Sequence, residues 1–286
     1  LELPAKFTIS VPEDPKITSD EKRAREWCGS IVGAMVWLSS IIPAATYTFR
    51  GQPNTEWNLE SSLFRAKKPN NLRKLKQEED KILEEISRDF WFRKEFGFVS
   101  ASDSTRSGYE RTVAVLQHHG IPTRLLDVTA DPLVALYFAV IGGNVVSDMD
   151  NVDGAVIFIR NLTTEDELPI MTIMAPQVSE RVSAQRARFI APTGGASGPN
   201  VPGSVRFDFA YVDVANKSGT NFNNLVGKFL DGEFSGRPPE KAPNLLMFRI
   251  PGKLKPACRQ VLRSIGVSAR TLFPGGQGYS RDLAGF

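Results

Sequence analysis

Gln117-His118-His119-Gly120-Ile121-Pro122-Thr123-Arg124-Leu125-Leu126-Asp127-Val128-Thr129, with Asp131 and the apolar run Pro132 to Ile141 behind it, is the stretch on which the fold turns. Ahead of it, Ser107-Gly108-Tyr109-Glu110 has capping-box spacing. Tyr109, Val113 and Leu116 then recur as on the buried face of a helix that stops near Gly120. Behind it, Asp131-Pro132 joins a carboxylate cap to a proline at the first helical position, where the missing N–H costs nothing. The helix so started is apolar all round, as a helix inside a core must be, and Gly142-Gly143 ends it. A polar segment is thus predicted to lie as a loop between two core helices.

Further upstream, Trp27, Ile31, Met35, Leu38 and Ile42 recur at helical spacing and predict a helix from about Asp20 to Ser40, buried on one face. No charge falls between Trp27 and Phe49, a length that would span a bilayer, but the serines, the glycines and Pro43 favour a buried helix followed by a strand. Ala45 to Phe49 alternates as that strand would and runs into Arg50-Gly51-Gln52-Pro53, a turn. A second amphipathic helix is expected from Asn71 to Phe96, with Leu72, Leu75, Ile82, Ile86 and Phe90 inward and Glu78, Glu79, Lys81 and Glu85 turned away. Ala155 to Ile159 and Asn244 to Ile250 have the length and composition of buried strands, and Val205 to Tyr211 alternates as a half-buried one. Residues 1–19 read as an arm, and Pro192 to Gly203 as a Gly/Pro/Ser-rich loop. These signals describe one α+β domain with a mixed β-sheet core flanked by helices.

Composition narrows the function classes. The 286 residues carry 35 basic and 32 acidic side chains, a balance that argues against nonspecific nucleic-acid binding and permits a local basic cleft. Cys28 and Cys258 are the only cysteines; they fit a reducing compartment, and with no basic-then-apolar leader in Leu1 to Pro4 the expected location is cytoplasmic. His118 and His119 are adjacent, about 100° apart on a helix, so they do not form a two-histidine metal face. No metal site is expected. The glycine patterns of phosphate loops, dinucleotide folds and nucleophile elbows are also missing from the sequence.

Two readings of the polar residues stand side by side. In the plain one, Arg124 pairs with Asp127, Thr129 or Asp131 caps the next helix, and Arg50 is a surface cation at a strand end. In the other, polar groups held close to a core are arranged for a ligand. Arg50 is then a forked donor for phosphate or carboxylate, and Gly51 lets the ligand approach the backbone.

Phe49-Arg50-Gly51, Gln117-His118-x-Gly120-x-Pro122-Thr123-Arg124-Leu125-Leu126-Asp127-x-Thr129 and Pro132-Leu133-x-Ala135-Leu136-Tyr137-Phe138-Ala139 together resemble the FRG domain family, named for its aromatic-Arg-Gly motif. Weaker likeness at Gln185, Phe189 and Thr271 to Pro274 extends it over about residues 25–285, with residues 192–243 as a variable insertion. Val128 stands where the family would carry tryptophan.

The layout is also similar to that of ADP-ribosyltransferases, in which an Arg-Gly or His-Gly at the end of the first strand grips NAD. That resemblance implies NAD as substrate, bound by Arg50, Gly51, Gln52, Thr123, Arg124, Thr129 and Tyr137, the last lining a nicotinamide pocket. His118, Asp127 and Gln185 would form the catalytic set, with Gln185 nearest the place of the family's late glutamate. Because an amide cannot offset positive charge, Asp127 would take that part and His118 would accept a proton. The implied activity is an NAD-consuming transferase or glycohydrolase, a toxin or antiviral defence effector, with a protein or nucleic-acid acceptor and no membrane partner. The alternative is a nucleotide- or partner-binding module without catalysis.

Overall fold

The computed structural model describes residues 21–41, 47–69, 72–90, 94, 106–141, 149–160, 170–174, 179–192, 210–212, 245–276, 278 and 280. The arm, the loop after Pro192 and the alternating residues from Val205 to Phe209 lie outside them. Seven strands form one mixed sheet: β1 Tyr47–Gln52, β2 Leu126–Thr129, β3 Gly154–Arg160, β4 Ile170–Met174, β5 Ala187–Pro192, β6 Ala210–Val212 and β7 Leu245–Ile250. Their order is β4-β5-β2-β1-β3-β7-β6. All neighbours are antiparallel except β6 and β7, which run parallel. β6 is the described part of the expected insertion, and it extends the sheet edge. The α+β reading with a mixed sheet therefore holds.

The helices are α1 Glu21–Ile41, α2 Ser62–Lys67, α3 Leu72–Ser87, α4 Arg106–His118, α5 Pro132–Val140, α6 Glu180–Ala184, α7 Lys255–Ser264 and α8 Ala269–Leu272, with a 3-10 turn at Gly252–Leu254 before α7. α5 starts as its sequence demands: Asp131 caps it, its side chain accepting from Leu133 N at 2.8 Å, and Pro132 follows. α1 buries Trp27, Cys28, Ile31 and Met35 against α5 and α7, and no helix among the described residues is long and apolar enough to cross a membrane. Cys28 on α1 meets Cys258 on α7, both free and fully buried.

β1 explains the placement of α5. Tyr47 and Phe49 join the cluster under α1 and α5 with Val156, Phe158 and Phe248, while Ala155, Ile157 and Met247 join a second cluster with Leu126 and Val128. The expected strand is a central one, with Tyr47, Thr48 and Phe49 all buried, and it continues through Arg50 and Gln52, where a turn was expected. A Cβ at Gly51 would overlap the Ala135 carbonyl, and one at Gly154 on β3 would overlap the Ala139 carbonyl. Small residues on α5 and glycines on two adjacent strands let helix and sheet backbones touch.

Several local expectations fail for physical reasons. Helix α4 begins at Arg106, so Ser107 sits inside its first turn and cannot be the N-cap. Helix α3 ends at Ser87, which leaves Phe90 outside it and 72% exposed; Leu83 takes the inward position. Glu79, expected to face away, is buried. The polar segment is not all loop, because Leu126–Thr129 pairs with β5 as β2. We expect Gly51→Ala to destabilise the domain by at least about 3 kcal/mol in denaturant titration, the top of the overpacking range, because the clash is with backbone. A change of a few tenths of a kcal/mol would show that α5 does not sit where Gly51 requires.

Candidate functional site

β1 pairs with β3 at six positions but with β2 at one, Phe49 opposite Thr129. Where the ladder stops, a cleft of about 260 Å3 is lined by Arg50 and Gly51 of β1 and by Asp127 and Thr129 of β2. His118 from the end of α4, Phe138 from α5, and Arg181 and Gln185 from the α6 region complete it. The neighbouring apolar lining comes from Phe49, Val134, Val182 and Phe189.

Arg50 bridges the parted strands. Its Nη1 donates to the main-chain carbonyl of Asp127 at 2.5 Å and its Nε to Gln52 Oε1 at 3.1 Å. Gln52 is fully buried and donates through Nε2 to Trp57 O at 2.9 Å, so the side chain that orients Arg50 is itself fixed. Among the described residues two of the five guanidinium N–H groups have acceptors, and three are available to a ligand. Burial lowers the Arg50 pKa to about 10; the Asp127 charge opposes that shift and Arg65 adds to it, so the group stays cationic at neutral pH.

Asp127 is exposed at the mouth, and each carboxylate oxygen accepts from Gln117 Nε2 at 3.2 Å. Gln117 Oε1 accepts from Thr123 Oγ1 at 2.6 Å, which fixes the amide's orientation and through it the carboxylate's. His118 is partly buried. Burial lowers its pKa first, the charges of Arg181 and His119 lower it further, and Asp127 opposes them. A neutral imidazole, able to accept a proton, therefore sits beside a carboxylate at pH 7.

Of the residues expected at the site, Arg50, Gly51, His118, Asp127, Thr129 and Gln185 line one cleft. Several of the expected residues, two of the lining ones included, also do structural work. Gly51 is glycine because α5 presses on it, rather than to admit a ligand. Gln52 lies behind Arg50. Thr123 is a buried hub, with its main-chain N–H donating to Ser62 Oγ, its carbonyl accepting from Leu63 N and its hydroxyl accepting from Leu125 N. Thr129 spends its hydroxyl on the protein, donating to Gln185 O at 2.7 Å and accepting from Asp131 N. Tyr137 is a core side chain away from the cleft, and its helix neighbour Phe138 faces the cleft instead.

Arg124 neither lines the cleft nor pairs with Asp127. Its Nε lies 3.0 Å from Glu79 Oε2, and its main-chain N–H donates to the other oxygen at 2.9 Å. The pair clamps the segment before β2 onto α3. Gln117, Phe138 and Arg181 are among the cleft residues that sequence reasoning did not select. Gln117 heads the motif and was legible there. Phe138 was not, because α5 is apolar all round and offers no phase, and nothing around Arg181 marks it. Among the described residues no His, Cys, Asp and Glu cluster could hold a metal.

The sequence model of the FRG domain family matches residues 45–146, which contain β1, β2, α4 and α5. The matched segment, which is similar to the FRG domain, carries Arg50, Gln117, His118 and Asp127; Arg181 and Gln185 lie beyond the match. No curated protein and no solved structure matches the chain.

Removing one partner of the buried pair leaves an uncompensated charge, so Glu79→Ala should cost about 3–5 kcal/mol. The double change to Glu79→Met with Arg124→Met should recover most of that loss in equilibrium unfolding. Equal losses in the single and double variants would refute the clamp.

Proposed function

We propose that the cleft binds a nucleotide of the NAD type through Arg50 and that the protein breaks the bond between nicotinamide and ribose. The ADP-ribose then passes to water or to a nucleophile on an acceptor. The observation that carries this reading is a half-buried guanidinium with three N–H donors uncommitted among the described residues, in the same cleft as a neutral imidazole and an oriented carboxylate. A planar fork out of bulk water is the group that recognises phosphate best. The resemblance to ADP-ribosyltransferases supports it, since Arg50 lies near the end of β1, Thr129 lies on adjacent β2 and Gln185 leads into β5.

The chemistry assigned to this chain's side chains is modest. Nicotinamide leaves with the electron pair of the glycosidic bond, and the Asp127 carboxylate offsets the positive charge that develops on ribose. Water adds to the anomeric carbon and gives its proton to His118. A chain that consumes NAD in this way would act as a toxin or defence effector. One observation favours the non-catalytic alternative: Gln185 brings an amide where a carboxylate would be expected, and its Nε2 is committed to Leu272 O at 3.0 Å.

Calorimetric titration of the wild-type chain with NAD, together with assay of released nicotinamide, decides between the two. Arg50→Ala should weaken binding at least tenfold, because truncating a desolvated charged contact costs about 2–5 kcal/mol and about 1.4 kcal/mol is tenfold. Arg50→Lys should recover little of it. Asp127→Asn should abolish nicotinamide release while binding changes by less than about threefold, or about 0.7 kcal/mol. Binding without release by the wild-type chain would leave the nucleotide-binding module, and no binding by the folded chain would remove every nucleotide reading and leave a partner-binding module.

The pH dependence follows from the histidine. A proton acceptor must be neutral, and the folded-state pKa of His118 lies below its ordinary 6.5. The release rate should therefore fall with pH through a midpoint below 6.5, and His118→Gln should remove that pH dependence.

A further inference from the structure

Arg181 is the second guanidinium of the cleft. It projects from α6, which no resemblance in the sequence marks and which lies beyond the FRG match. Its Cζ sits 4.9 Å from the centroid of the Phe273 ring, and Phe138 meets the same ring edge-on at 6.1 Å. A cation held on an aromatic face keeps its charge and gives up rotamer freedom before any ligand arrives.

The segment bearing it is pinned on both sides. Thr129 Oγ1 donates to Gln185 O, Ala130 N donates to Arg186 O at 3.0 Å, and Gln185 Nε2 reaches Leu272 O. Arg186 turns the chain from α6 into β5 with φ of 44°, a left-handed conformation that L side chains rarely adopt. These fixings hold α6 against β2 and α8 and set Arg181 at the cleft, where its charge reaches His118.

Resting on the nucleotide reading, we infer that Arg181 is a second phosphate-binding residue and that the cleft selects a diphosphate over a monophosphate. Among the described lining side chains two guanidiniums, Arg50 and Arg181, stand against one carboxylate, Asp127. A single phosphate saturates one fork, whereas a diphosphate offers oxygens to both. Phe138 supplies an apolar wall for a flat base beside them.

The test compares ADP with AMP in calorimetric titrations of the wild-type chain and of Arg181→Gln, which removes the charge and keeps a polar side chain. A second variant, Arg181→Met, removes the polar end altogether, and thermal unfolding confirms that both remain folded. The wild-type chain should bind ADP at least about tenfold more tightly than AMP, a step of about 1.4 kcal/mol, and both variants should bring the ratio to within about threefold. An ADP-to-AMP ratio unchanged by either substitution would overturn the role of Arg181 and leave the nucleotide reading standing. If the wild-type chain binds neither ADP, AMP nor NAD, the nucleotide reading fails and takes this inference with it.

Discussion

The contact of helix α5 with strands β1 and β3, backbone against backbone, is the constraint on which the rest of this domain depends. Gly51 and Gly154 leave no side chain between sheet and helix, and the Ala135 and Ala139 carbonyls occupy that space. An all-apolar helix can then sit on the sheet with α1 and α7 closing over it, and Tyr47, Phe49, Phe158 and Phe248 fill the surround. Since α5 follows β2 with only Ala130 and Asp131 between them, anchoring the helix also fixes the end of β2. The Phe49–Thr129 position is therefore where the two strands meet, and the cleft lies beyond it.

The aromatic-Arg-Gly triplet reads differently in this light. Phe49 faces the core and meets Phe158 edge-on at 5.1 Å, Gly51 faces α5, and only Arg50 reaches the parted strands. One triplet thus combines two packing requirements with one polar group, and strand alternation separates them. The Gln117-to-Thr129 segment divides its duties in the same way. Thr123 and Arg124 fasten the segment to α2 and α3, Gln117 links that fastening to Asp127, and Thr129 ties β2 to the turn after α6. Most of its polar groups hold the frame, and few face the cleft.

Electrostatics then sets what the frame presents. Burial keeps Arg50 from being fully hydrated without discharging it, and the same burial with the nearby Arg181 keeps His118 neutral. Away from the cleft, Lys255 is buried and donates to the carbonyls of Pro53 and Met149, and burial lowers its pKa to about 8. Both cations donate to main-chain carbonyls, Arg50 to Asp127 O and Lys255 to Pro53 O and Met149 O, which offsets part of the cost of placing charge beside a central strand.

The sequence by itself determined the helices with clear periodicity or caps, α1 and α5 above all, the strands β3 and β7, and the pairing of Arg50 with Asp127 and His118 in one motif set. Those features depend on local chemistry: a carboxylate and proline at a helix start, alternation, and runs of apolar residues of strand length. Tertiary structure alone decided that β2 exists within a polar segment, because a four-residue strand is set by its neighbours β1 and β5. It also turned Glu79 inward to meet Arg124, chose Phe138 over Tyr137 for the cleft, and brought Arg181 from more than fifty residues downstream of Asp127. Partners so far apart in sequence are joined by packing, and no spacing along the chain records which side chain of a uniformly apolar helix, or which arginine of a short one, will face them.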